Sequence, residues 1–542
     1  MVVAPHRWVK FIVVLAVAGL AAQVQAQSGS PLTAGAISDT LKRPLELQAP
    51  EPLASPVAPQ RPSAPADATG KTVTVQRFEF RGNSLFSDSQ LQPLVAPYIG
   101  RAIGLPELYE AADRVAQHYV EAGYTLASAV LPAQKIGGGT VQIEIIEGRV
   151  EKITYDGLKR YRADDLNVYL GGSAGEVYRA DRFESGLRTV DSLPGLDARA
   201  VLRPGAEYGR TDIVVRVNED PFEGLFFVDN SGRDTVGEYR FATQLSFNNP
   251  LQVGDQFTLL ALRSSNDLLK YLSGAYSLPT GWRGSRVNLS YGYAEFSLDG
   301  SFQGVAGSNR SLRSALDLPV LRGGRDQLSL TGAVSHTQAD TDFSGIPLRA
   351  TDLTLLEVGG TYSHVYGSGA VSQLVATVGS NFKKADGSDG NSQRIRLELD
   401  AQHIQPLPMD LQLVGHGLMV YSPDPLPDTQ QFSLGGPGSV RGYAPSEVRG
   451  DWGYLGSLTL RRSFPIGAAT LTPRLFVDAG AVRSRDPSGA TPETSLSSVG
   501  IGADATLARI SLKLDYAVPT DAVPVSDGKD SGRVYGTLAV QF

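Results

Sequence analysis

The chain has 542 residues, room for several domains, with 42% hydrophobic residues, 59 Gly and only 3 Trp. A net charge of −7 offers no basic face to nucleic acid, so no nucleic-acid partner is expected. The absence of cysteine excludes a disulfide framework, a thiol nucleophile and a thiolate metal site.

His6, Arg7 and Lys10 precede the apolar run from Phe11 to Ala22, and Val24 to Ala26 then supplies small residues for a signal peptidase. The expectation is a secretory signal peptide over residues 1–26, since a run this short falls below the roughly 20 apolar residues of a spanning helix. No later stretch is as long and as free of charge, so no membrane helix is expected in the mature chain. Ser30 can cap a short helix with Pro31 at its first position, and Leu32, either Ala36 or Ile37, and Leu41 give it a narrow apolar stripe (27–43). Prolines 44, 50, 52, 56, 59, 62 and 65 mark residues 44–70 as an extended linker that can reach roughly 80 Å. A short helix on a long tether is either a movable element or an N-terminal tail.

From Val73 the pattern is globular. Thr72 to Phe80 alternates as a strand. Gln90–Ile99 and Pro106–Ala122 have helical spacing, the second presenting Leu108, Ala112, Val115 and Tyr119 on one face. Thr125–Pro132 and Thr140–Ile146 follow as strands. The same order then returns: strand Val150–Tyr155, helices from Arg162 and from Arg179, strands Arg199–Arg203 and Thr211–Glu219. Two consecutive α+β units, 71–148 and 149–220, therefore form an internal repeat.

From residue 221 to 542 helical periodicity gives way to short alternating stretches punctuated by Gly, Asn, Asp and Ser. In Arg394–Gln402 the residues Ile395, Leu397, Leu399 and Ala401 share one face and charged or amide side chains the other. Such alternation suits a soluble sandwich or a membrane barrel turned inside out. Counting separates them. About sixteen stretches, an even number of strands of about ten residues, are the signature of a transmembrane β-barrel. A propeller would need a blade period of about 40 residues, which is absent. The chain ends in an alternating strand closed by Phe542.

The barrel pattern is interrupted once, over 422–451, by Phe432-Ser-Leu-Gly-Gly-Pro-Gly-Ser-Val-Arg-Gly-Tyr443. Glycine and proline exclude a helix interior and a regular central strand. A loop of about thirty residues is a mobile surface excursion or a functional element. It joins the eleventh and twelfth strands, hence starts outside, and is apolar enough to fold back into the lumen. Arg441 would then need a carboxylate. In Leu475–Gly480 alternation sends Leu475, Val477 and Ala479 to lipid and Phe476, Asp478 and Gly480 to the lumen, so Asp478 is the candidate partner.

Val440-Arg441-Gly442-Tyr443 and Phe476-Val-Asp478-Ala-Gly480 resemble the loop and strand motifs of two-partner secretion outer-membrane transporters of the TpsB type. The two repeats resemble that family's POTRA domains, at Phe78-Glu-Phe-Arg-Gly-Asn83 and Tyr119–Tyr124 in the first, and Leu193-Pro-Gly195 and Thr211–Val215 in the second. The resemblance implies α+β periplasmic POTRA repeats followed by a 16-stranded antiparallel barrel in the bacterial outer membrane. It implies a plug helix at 27–43 and a gating or secretion role for Val440, Arg441, Gly442 and Tyr443 opposite Phe476, Asp478 and Gly480. The expected partners are a large secreted client with an N-terminal secretion domain, outer-membrane lipid, and the barrel assembly machinery, met through Phe542. The function implied is export of that client without ATP. The alternatives are an assembly factor of the same superfamily and a passive porin. The glycines of 435–438 lack phosphate-loop spacing, and the scattered histidines 118, 336, 364, 403 and 416 lack metal-site spacing, so neither cofactor, metal nor enzyme chemistry is expected.

Overall fold

A computed structural model describes residues 33, 36, 72–170, 174–282, 284–381, 394–485, 491–521, 526, 529 and 531–542. The expected signal peptide, the linker and all of the expected plug helix except Thr33 and Ala36 lie outside the described residues.

The first α+β unit runs β1 (Val73–Thr74), β2 (Arg77–Arg81), α1 (Asp88–Val95), β3 (Ala102–Ile103), α2 (Leu105–Glu121), β4 (Ser128–Val130) and β5 (Thr140–Ile146). The second runs β6 (Arg149–Asp156), α3 (Ala163–Leu170), α4 (Ala180–Asp191), β7 (Leu196–Pro204) and β8 (Arg210–Glu219). The strand expected over 72–80 is divided, because β1 turns away to pair with β3 while β2 joins the main sheet. Both main sheets have one arrangement: the first strand pairs parallel with the last, which pairs antiparallel with the middle one. In the first unit Leu91, Val95, Leu108, Val115 and Tyr119 bury their helical faces on Phe78 and Ile143. In the second, Leu166, Leu170, Phe183, Leu187 and Val190 cover Ile213 and Val215.

The repeat extends to its polar ties. In each unit a glutamate at the end of the last strand caps the loop after the first. Glu147 accepts from the Leu85 amide at 2.8 Å, and Glu219 from the amides of Lys159 and Arg160 at 2.8 Å each. Buried carboxylates of this kind need such donors. In the second unit the Tyr161 hydroxyl donates to the Pro194 carbonyl at 2.8 Å, and burial pushes that phenol's pKa up, so it stays a donor.

The remaining strands are β9 (Phe222–Asp229), β10 (Arg240–Asn248), β11 (Gln256–Ser264), β12 (Leu269–Pro279), β13 (Arg286–Ser297), β14 (Val305–Arg322), β15 (Asp326–Phe343), β16 (Ile346–Val365), β17 (Val371–Asn381), β18 (Ile395–Pro406) and β19 (Leu411–Tyr421). After them come β20 (Phe432–Leu434), β21 (Val448–Gly450), β22 (Trp452–Arg462), β23 (Phe464–Ile466), β24 (Ala469–Arg483), β25 (Glu493–Leu507), β26 (Ile510–Pro519) and β27 (Arg533–Gln541). With β20 and β21 set aside, and β23 continuing β22, these make a closed antiparallel barrel of 16 strands. It closes where β27 meets β9, from Thr537↔Asp229 to Gln541↔Leu225. No described helix is long and apolar enough to cross a membrane; the strands do so.

The barrel is apolar outside. On β24, Leu475 and Val477 are 57% and 48% exposed, whereas Phe476 and Asp478 are 3% and 2%. A band of exposed Leu, Val and Ile around a barrel is a lipid-facing belt. The longest strands run far beyond the expected ten residues: β14 and β15 have 18 and β16 has 20. A transmembrane strand needs about 9–11. Along the outer face of β15, Leu330 and Val334 give way to Gln338 and Asp340, so the excess length projects beyond the hydrocarbon.

The second unit sits against the opposite rim. An Arg160 guanidinium nitrogen donates to the Asn249 carbonyl at 2.8 Å, and Arg322 at the end of β14 donates to Ser192 Oγ at 2.7 Å.

Candidate functional site

The chain leaves β19 at Tyr421 and re-enters the wall at Trp452, and between them it folds into the lumen. Its own composition dictates this. β20 and β21 pair antiparallel, Phe432↔Gly450 to Leu434↔Val448, and Phe432, Leu434, Val440 and Tyr443 pack on Val420, Leu455, Val482 and Leu496 of the wall. Leu434 seats itself where the wall has no side chain: a Cβ on Gly480 would lie 3.0 Å from a Leu434 methyl and 2.5 Å from the Tyr454 carbonyl. The stretch between β20 and β21 carries Val440 to Tyr443 to the middle of the wall.

There Arg441 meets Asp478. Nε donates to Oδ2 and a terminal nitrogen to Oδ1, each at 2.7 Å, and the Arg441 amide adds a bond of 3.2 Å to Oδ2. The Arg441 side chain is 11% exposed and that of Asp478 0%. Ser457, opposite Asp478 in the β22–β24 ladder, donates to Asp478 Oδ1 at 2.6 Å and accepts from Arg441 at 3.3 Å. The guanidinium lies over the Phe476 ring, with Cζ 3.3 Å from its centroid. A two-pronged, charge-assisted pair with its remaining capacity filled is the geometry in which a buried ion pair holds.

The next residues extend the grip across the barrel. Gly442 has φ of +98°, which only glycine adopts without strain, and its amide donates to the Tyr535 hydroxyl at 3.0 Å. Tyr535 in turn donates to the Tyr443 carbonyl at 2.6 Å, and the Tyr443 hydroxyl to the Ser497 carbonyl at 3.1 Å. Val440 is fully buried beside Leu455. One tetrapeptide is thus tied to β22, β24, β25 and β27.

A second cluster holds the loop's base. Asp428, 3% exposed, pairs with Arg449 and accepts from Thr33 Oγ1 at 2.7 Å. Arg449 also donates to Thr33 at 3.1 Å, and Ser446 Oγ to the Ala36 carbonyl at 3.3 Å. Ala36 is helical and buried with Phe227, Val236 and Leu262. The two described residues of the 27–43 segment therefore lie inside the barrel, against the loop.

The alternation of β24 placed Phe476, Asp478 and Gly480 on the inner face, and the structure brings all three to the loop. Ser457, Tyr535 and Ser497 escaped the sequence reading, because strand register, not local pattern, sets them opposite the tetrapeptide. Asp428 and Arg449 carried a legible signal: charges in a loop otherwise apolar enough to fold inward require partners. The site holds a loop in place; nothing in it resembles a nucleophile with its base. Among the described residues no group of His, Asp and Glu is arranged to hold a metal ion.

Residues 209–505 match the family described as haemolysin secretion/activation protein ShlB/FhaC/HecB, and residues 73–148 match the POTRA domain, ShlB-type. The outer membrane transporter CdiB of Escherichia coli is 26% identical over 415 residues, covering 73% of this chain and 70% of that protein. The hemolysin transporter protein ShlB of Serratia marcescens is 25% identical over 518 residues, 87% of each chain. The solved structure of CdiB from Escherichia coli superposes with a TM-score of 0.73 at 23% identity, covering 93% of this chain and 95% of that one, and shares the fold. With more than half its length matched, the chain belongs to the haemolysin secretion/activation protein family ShlB/FhaC/HecB, outer-membrane transporters of two-partner secretion.

Proposed function

We propose that this transporter exports one large partner protein through its barrel, and that the Val440–Tyr443 tetrapeptide seats the loop in the lumen in the position that export requires. The observation that carries this reading is the buried Arg441–Asp478 pair, which anchors a loop inside a lumen that a polypeptide must traverse. The segment of Thr33 and Ala36 rests on the same loop, so plug and loop would leave or shift together. The two α+β units stand at the periplasmic mouth, where an extended client can add a strand to an open sheet edge. No nucleotide takes part; folding of the exported partner outside supplies the pull. Phe542 closes the barrel seam, with its amide and carbonyl bonded to those of Gly224, and offers the assembly machinery its terminal aromatic. The outer apolar belt takes outer-membrane lipid.

The test is co-expression with candidate large secreted proteins, followed by assay of the medium for the one that appears there. Arg441→Ala should leave the barrel assembled, judged by heat-modifiable migration, and cut the exported partner sharply. Undiminished export by an assembled Arg441→Ala barrel removes the tetrapeptide from the mechanism. An assembly factor would instead show losses of other outer-membrane barrels.

A further inference from the structure

Between the second α+β unit and the barrel rim lies a crevice of about 650 Å³. Arg188 of α4 and Arg322 of β14 line it from the two sides. Asp191 and Asp197 also line it: Asp197 pairs with Arg199 at 3.3 Å, while Asp191 accepts from the Ala198 amide at 2.9 Å and keeps its charge, so the two arginines face one carboxylate without a cation of its own. Neither Arg188 nor Arg322 has a carboxylate within ion-pair distance among the described residues. Among the described residues Arg322 makes one side-chain bond, to Ser192 Oγ, and Arg188 Nε is buried with no hydrogen-bond partner. A half-buried guanidinium left so is short of an anion.

The crevice lies beneath the lumen. On β15, Leu330 points to lipid, so Gln327 and Ser329 point inward, and both line the crevice. Leu196 and Asp197 of β7 line it too, and β7 pairs with β8 on one side and with no described strand on the other. An extended segment laid along that open edge enters the lumen past both arginines.

We propose that Arg188 and Arg322 form a carboxylate-reading entrance, which takes an acidic, extended stretch of the exported polypeptide as it passes from β7 into the barrel. This rests on the export reading above. The inward-facing side chains favour a peptide over a lipid headgroup, which would approach from the outer face.

Full-length protein in nanodiscs of phosphatidylcholine would be titrated with two labelled peptides of about ten alternating Thr and Val residues, long enough to cover β7. They differ in a central pair of Asp or Asn. The Asp peptide should bind roughly tenfold more tightly, and Arg188→Gln with Arg322→Gln should abolish that preference while leaving the Asn peptide's affinity unchanged. Equal binding of both peptides to the unaltered protein overturns the proposal, as does a preference that survives the double change. Retained Asn-peptide binding shows the variant is folded. Repeating the titration with phosphatidylglycerol in the discs separates the two anion sources: loss of the Asp preference there assigns the arginines to a headgroup and overturns the peptide reading. Export of the natural partner, assayed separately with Arg441→Ala, stands or falls independently of either result.

Discussion

Removing one member of the Arg441–Asp478 pair and removing both are different perturbations, and the difference separates bracing from function. With Arg441→Ala, Asp478 keeps the bond from Ser457 and the residue 441 amide but loses its cation, in a place where its side chain is 0% exposed. A fully buried pair broken on one side costs about 3–5 kcal/mol, and water in the lumen reduces that figure. Arg441→Ala with Asp478→Ala leaves no orphaned charge. The double variant should therefore regain much of the unfolding temperature lost by either single variant, measured by the shift in heat-modifiable migration, while export stays low in all three. Restored export in the double variant would make the pair a structural brace alone. At this scale the sequence showed only half of the site. Asp478 was legible because alternation is a local property, and Arg441 because it is the one charge of the glycine-rich Phe432–Tyr443 stretch and demands a partner. Ser457 and Tyr535 were illegible because nothing local states which strand residue a loop will meet.

Elements were easier to read than their ends. Each alternating stretch corresponds to a barrel strand, because half-buried strands repeat every two residues whatever lies opposite. The lengths of β14, β15 and β16 were not legible, since outside the membrane their outer faces become polar and the alternation fades. The division of the first strand was hidden too: Val75 and Gln76 continue the alternating pattern, yet the Gln76 amide turns to the Gly139 carbonyl at 2.7 Å. The seam makes a sharper prediction. Phe542 lies over Gly224, where an added Cβ would come 2.2 Å from the ring, and the two residues exchange backbone bonds of 2.8 and 2.9 Å. Gly224→Leu must therefore expel the ring from the ladder end. The expected outcome is a barrel that assembles slowly, with unfolded monomer persisting in pulse-chase gels, while Gly332→Leu, where a Cβ meets nothing within 4 Å, assembles normally.

Across the whole molecule, the second α+β unit meets the barrel through the bonds of Arg160 to the Asn249 and Pro250 carbonyls and of Arg322 to Ser192, and through close approaches of Tyr161 and Leu193 to Gly254 and of Glu184 to Gly324. Relative motion is the default for domains of one chain whose interface is not large and hydrophobic. On the proposed route from β7 into the lumen a client passes between the two bodies, and the interface is expected to yield during export. The absence of native cysteine makes this directly testable, because any introduced pair is the sole thiol pair in the chain. A Cβ built on Gly324 lies 3.6 Å from the Glu184 carboxylate, within reach of a short thiol cross-linker joining Glu184→Cys to Gly324→Cys. Cross-linked cells should export several-fold less partner than cells carrying either cysteine alone, and a reducible linker should restore export once cleaved. The restoration carries the argument, since it returns function to the same molecules and so excludes misassembly as the cause. Full export through the cross-linked protein would mean that the unit stays docked throughout, and that the client threads the crevice between Arg188 and Arg322 without widening it.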